Sequence, residues 1–159
     1  MPLTLNKFFH VNINVTDLDR SVDFYKKLGF VETARFVMDG HLGESTAEAF
    51  GVPFNRHRAA FLKLQDSESN MVLDLCEYEQ PPTSGQPYQS LINVGMVRLA
   101  FHVPNIEEVY QELLDMGVEM LGPLRFTTPP GGTRSGVLAF KDPDGVILEV
   151  LTGVEHMVN

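Results

Sequence analysis

Tryptophan is absent from this 159-residue chain and cysteine occurs once. A lone thiol, Cys76, can form no intramolecular disulfide, which suits a reducing compartment. Within the run V-L-D-L-C it reads as a small core residue rather than a nucleophile. Positive charge is also scarce: 12 Lys and Arg stand against 21 Asp and Glu, a formal charge of −9. Binding to a phosphate backbone needs clustered cations, so nucleic-acid partners are excluded. No apolar run is long enough to cross a bilayer, and the opening M-P-L-T-L-N-K has no basic stretch followed by an apolar one. A soluble, cytoplasmic protein without a membrane partner is expected. The glycines of T-T-P-P-G-G-T-R-S-G lack the G-x-x-x-x-G-K-[ST] pattern and are no evidence for nucleotide binding.

What is present is an ordinary globular composition, 43% apolar and 21% charged, enough for one domain spanning 1–159. The apolar run in K-F-F-H-V-N-I-N-V reads as a strand. Thr16 or Asp17 can cap a helix with Leu18, Val22, Tyr25 and Leu28 at helical spacing, and Gly29 stands at its stop. Strands follow at 30–38, 58–65 and 71–77, the last two separated by the turn D-S-E-S-N. A Pro-rich linker, 79–94, comes next.

The same order then recurs. A strand through 97–103 leads to Asn105, a cap for a helix with Ile106, Val109, Tyr110, Leu113 and Leu114 on one face and Gly117 at its end. A short strand at 118–121, a Pro/Gly-rich loop at 122–136, a strand at 137–140, the turn D-P-D-G and a strand at 146–151 complete it. Asn105 answers Asp17 and Gly117 answers Gly29 at an offset of 88, whereas Leu148-Glu149-Val150 answers Leu73-Asp74-Leu75 at 75. The difference places an insertion in the first copy, within 39–57, which reads as a lid or rim with one helical turn at 46–50. The expected class is therefore α+β, two βαβββ modules at about 5–78 and about 95–152.

The paired modules, the opening H-V-N-I-N-V-T-D-L-D-R-S-V-D-F-Y-K-K-L-G-F and the closing F-K-D-P-D-G-V-I-L-E-V resemble the vicinal oxygen chelate superfamily. That superfamily includes glyoxalase I, methylmalonyl-CoA epimerase, extradiol dioxygenases, fosfomycin-resistance enzymes and bleomycin-binding proteins. The resemblance implies a curved mixed sheet around a central cup with the helices outside, a small-molecule substrate, a divalent metal and a homodimer. His10 stands at the first ligand position, Asp74 at the ligand position of the first module's last strand, and Glu149 at its equivalent in the second module. The remaining ligand position, seven residues before Asn105, holds Arg98, which has no lone pair to offer a metal. His102 shares the strand face of Arg98 but lies four residues, about 13 Å, further along, and aligns with Asn14.

Two chemistries compete for these residues. In one, His10, Asp74 and Glu149 form an N/O site for Mn, Fe, Ni, Zn or Mg, and Glu149 completes the coordination or acts as the base of a lyase or isomerase (epimerase-like) reaction. In the other, Arg98 pairs with Glu149 or Asp74 and a metal-free cup sequesters a drug or metabolite. An extradiol-type Fe(II) dioxygenase is a third reading, requiring His102 beside His10 and Glu149. His102, Asn12 and Asn14 face the cup and are candidates for substrate contact, as is Arg98. Arg134 and Arg58 read either as solvated surface arginines or as contacts for an anionic substrate, the former from a loop able to close. His41, His57 and His156 receive no role.

Overall fold

The structure, a computed structural model, describes residues 5, 7–53, 56–65, 67, 69–128, 130 and 132–154. His156, parts of the 66–70 turn and parts of the 122–136 loop lie outside the described residues. The chain divides into two compact units, Met1–Gly85 and Gln86–Asn159, with the boundary inside the Pro-rich linker. Each unit holds one four-stranded mixed sheet, and the α+β class with two modules of β-α-β-β-β order is what the sequence implies.

In unit 1, β1 (His10–Asn14) is followed by α1 (Leu18–Lys27), β2 (Phe30–Met38), α2 (Gly40–Phe50), β3 (His57–Leu64) and β4 (Val72–Tyr78), and the sheet order is β1-β4-β3-β2. Burial alternates along β1, with Val11 and Ile13 turned into the core, as a strand with one covered face requires. That core also takes Leu18, Val22 and Tyr25 from α1 together with Ala60, Leu62, Leu73 and Leu75 from the sheet. Each fully buried apolar side chain contributes roughly 1.5–3 kcal/mol of transfer free energy. Tyr25 packs edge-on against Phe24 and Phe30. The Asp17 side chain caps α1 by accepting from Arg20 N at 3.0 Å. A second carboxylate, Glu77, accepts from Leu18 N at 2.9 Å and binds Arg58 at 2.5 Å, tying the start of the helix to β4 and β3.

Unit 2 runs β5 (Leu99–His102), α3 (Ile106–Asp115), β6 (Arg125–Thr127), β7 (Ser135–Lys141) and β8 (Ile147–Thr152), in sheet order β5-β8-β7-β6. Asn105 caps α3 by accepting from Glu108 N at 3.2 Å. Ile106 and Leu113 are buried with Leu138, Phe140, Ile147, Leu148 and Val150. Asp142 makes the D-P-D-G turn by accepting from the backbone N–H of Asp144 and Val146 at 3.0 and 2.8 Å.

Four sequence expectations need correction. The inserted segment forms a helix of 11 residues rather than one turn, started by Asp39 accepting from Gly40 N and ended by Gly51 in the left-handed region. Its short, Gly- and Ala-containing inner face buries only Gly43 and Ala47, which weakens the periodic signal in the sequence. Residues 118–121 form no strand; Met120 makes a single bridge to Phe140, and the strand beside β7 is β6, inside the supposed loop. Leu114 is exposed rather than part of the core stripe. Arg58 faces α1 and its acids, not the side of the sheet that carries His10: it pairs with Asp19 at 3.1 Å and with Glu77. Among the described residues no helix is long and apolar enough to cross a membrane.

Candidate functional site

The parallel pairing of β1 with β4 sets the candidate site of unit 1. Val11 lies opposite Leu73, Asn12 opposite Asp74, Ile13 opposite Leu75 and Asn14 opposite Cys76. Because side chains alternate, His10, Asn12 and Asn14 share one face with Asp74 and Cys76. Phe61 and Ala59 of β3 lie opposite Asp74 and Cys76 and extend that face. His10 Nε2 approaches Asp74 Oδ2 at 3.9 Å. The His10 ring is flanked by Phe9, centroids 5.0 Å apart, and by Phe61, 6.1 Å apart, and Phe61 in turn meets Phe36 edge-on. Unit 1 thus carries an imidazole and a carboxylate set among aromatic rings.

Asp74 is buried, and its other oxygen is occupied. The Cys76 thiol donates to Asp74 Oδ1 at 3.4 Å, and Asn12 Nδ2 donates to Cys76 Sγ at 3.1 Å and to the Asp74 carbonyl at 3.1 Å. Burial first, then the neighbouring Asp74 charge, pushes the Cys76 thiol up to about 12, so it remains a protonated donor. Asn12 is therefore engaged with β4. The sequence placed Cys76 in the core but not in this chain of contacts; its spacing of two residues from Asp74 on a strand is the signal that puts both on one face.

Unit 2 repeats this register within its own sheet. Leu99 lies opposite Leu148, Ala100 opposite Glu149, Phe101 opposite Val150 and His102 opposite Leu151. Every pair is the first-module pair advanced by 88 on one strand and 75 on the other. Even the flanking bonds correspond: Val15 N donates to the Cys76 carbonyl, and Val103 N to the Leu151 carbonyl, both at 2.8 Å. No register shift interrupts β5, so His102 is opposite Leu151, two residues beyond Glu149. Arg98 precedes β5 where His10 opens β1, and its Nε donates to Glu149 Oε2 at 2.5 Å. The Glu149 side chain is only 13% exposed, whereas that of Arg98 is 42% exposed.

Arg134 lies over the Phe126 ring, with its guanidinium carbon 3.4 Å from the centroid, and pairs with Glu107 at 3.2 Å, linking β6 to α3. His57 is buried beneath α2 against Tyr78, and burial lowers its pKa.

Arg98, at the remaining ligand position suggested by the sequence, does not fit a metal ligand. Arginine is a donor only, and the Arg98 guanidinium at 2.5 Å engages the carboxylate that a metal would require. Among the described residues no three His, Cys, Asp or Glu side chains are grouped as metal ligands.

The chain is 27% identical over 150 residues to the Arabidopsis thaliana protein named Glyoxylase I 4, covering 94% of this chain and 72% of that one. Among solved structures, a glyoxalase family protein from Bacillus cereus superposes with a TM-score of 0.79 at 19% identity, over 94% of this chain and 95% of its own. One from Enterococcus faecalis gives a TM-score of 0.63 at 27% identity, over 91% and 96%. The model of the Glyoxalase/Bleomycin resistance protein/Dioxygenase superfamily matches residues 7–150, so the chain belongs to that superfamily.

Proposed function

We propose that this protein binds a small organic molecule, a drug or metabolite, without a metal ligated by Glu149. The observation that carries this reading is the 2.5 Å ion pair between Arg98 and Glu149. A largely buried carboxylate must be neutralised, and here a guanidinium from the same module does so. A cation placed beside it would be repelled by Arg98 and would have to displace it. His10 and Asp74 in unit 1 then serve as a polar pair among aromatic rings, able to orient a ligand or hold a proton.

A second reading, metal-dependent glyoxalase-like lyase or isomerase (epimerase-like) activity, is favoured by the approach of His10 to Asp74 and by the name of the Arabidopsis relative. It requires Arg98 to leave Glu149. The dioxygenase reading requires His102 at the depth of Glu149, where the register places Ala100. A homodimer, as the resemblance implies, belongs to the same proposal.

Metal analysis of the full chain purified without chelator tests the reading. Substoichiometric metal, with no thermal shift on adding Mn, Ni, Zn or Fe(II), is expected for the native chain and for Glu149→Gln. One equivalent of metal, lost in Glu149→Gln, would overturn it in favour of the lyase or isomerase. Loss in His102→Ala would favour the dioxygenase.

A further inference from the structure

Arg98 meets Glu149 through Nε alone. Its two terminal nitrogens, Nη1 and Nη2, have no partner among the described residues, and the side chain is 42% exposed. An arginine that exists only to neutralise a carboxylate commonly does so with a two-point, fork-to-fork contact. Here the contact is made from the side of the guanidinium, and the end of the fork is left open.

The side chains beside its acceptor in the sheet are small. Glu149 lies between Ala100 on β5 and Ala139 on β7, so the residues on either side of it in the sheet are methyl groups. The next row along the same face holds His102, Leu151 and Val137, followed by Arg125 on β6. Among the described residues the Arg125 guanidinium donates to the Leu124 carbonyl, at 3.3 Å, and no carboxylate pairs with it. A chain with a formal charge of −9 thus gathers two incompletely paired guanidinium groups on one sheet face, with Glu149 already committed to one of them.

We propose that Arg98 receives the carboxylate of a small organic acid on Nη1 and Nη2, with Glu149 fixing the guanidinium plane through Nε. Two parallel N–H···O bonds from a planar fork match a planar carboxylate and define its orientation, which a lysine at this position would not do. This assignment rests on the metal-independent reading above and narrows its ligand to carboxylic acids.

The test uses the full 15N-labelled chain in the presence of EDTA and follows the Arg98 Nε–H resonance, assigned by its loss in Arg98→Lys. Acetate, lactate and benzoate are titrated beside acetamide, lactamide, benzamide and inorganic phosphate. The carboxylates are expected to shift the resonance saturably and the amides not to shift it. Backbone amide shifts should report affinity for benzoate about tenfold or more weaker in Arg98→Lys, because one charged hydrogen bond of the pair is lost. The double variant Arg98→Gln/Glu149→Gln removes both charges together, so no buried charge is left unpaired, and it should lose the response. Equal binding of amides, undiminished binding by the double variant, or tighter binding of phosphate than of every carboxylate would each overturn the carboxylate assignment while leaving a metal-free binding protein intact. Carboxylate binding seen only without EDTA would instead overturn the metal-free reading itself.

Discussion

Cys76 donates its thiol proton to Asp74 Oδ1 across 3.4 Å. The same sulfur accepts from Asn12 Nδ2, so the carboxylate that faces His10 is held by a residue two positions further along its own strand. With the thiol 5% exposed and pushed up to about 12, Cys76 should not react with a disulfide reagent at pH 8 until the chain unfolds. Cys76→Ala leaves Asp74 Oδ1 and the Asn12 amide each short of a partner and should cost about 1–3 kcal/mol in a denaturant melt. Cys76→Ser keeps a donor and should cost less. Fast labelling of the native chain would contradict this arrangement.

Glu32 accepts from Arg35 and from Lys26, and these contacts, Arg35 first, lower its carboxyl from 4.5 to about 2 against the opposing effect of burial. A carboxyl depressed in the folded state stabilises it above the unfolded value, and that contribution disappears as pH falls through the folded one. Wild type and Glu32→Gln should therefore differ in stability by a constant amount above about pH 5, and the difference should narrow steadily from about pH 4.5 through pH 2. Equilibrium unfolding at a series of pH values measures it, and a gap undiminished at pH 2 would contradict the assignment.

The two helix caps offer a paired comparison. Asp17 and Asn105 each accept from the N–H three residues on, at 3.0 and 3.2 Å. Alanine at either position should cost about 1 kcal/mol. Asp17→Ala should show the greater salt dependence, because its cap is charged and Asn105 is neutral.

Gly136 marks the closest approach of β7 to the elements around it. A Cβ there would lie 2.9 Å from Ile106 Cγ2, 2.9 Å from Phe126 Cε1 and 3.1 Å from Thr152 Cγ2. Ile106 is fully buried and has no room to retreat. Gly136→Ala should destabilise by about 1–3 kcal/mol through overpacking, read as a lower denaturation midpoint at unchanged slope.

Helices α1 and α3 and most strands were legible because their signals are local: Asp17 and Asn105 before apolar residues at helical spacing, and Gly29 and Gly117 where the turns end. Phe30–Met38 was placed to the residue. The position of Arg98 relative to His10 was legible too, since counting from equivalent caps needs no coordinates. What was not legible depends on tertiary neighbours. The helix 40–50 presents Leu42 and Phe50 outward and buries only small residues, which gives little periodic contrast. Arg58 and Arg134 look alike as charged residues in sequence, yet one binds the acids at the start of α1 and the other stacks on Phe126. The role of Cys76 depends on Asn12 from another strand, 64 residues away.

The identical register of the two parallel strand pairs makes the modules matched templates at this position. A one-residue insertion or deletion within β5 would offset the pairings beyond it, and none from Leu99 to His102 is offset. His10 and Arg98 therefore stand at equivalent places in their modules and differ in side chain alone. A single substitution, Arg98→His, would set an imidazole before Glu149 as His10 is set before Asp74.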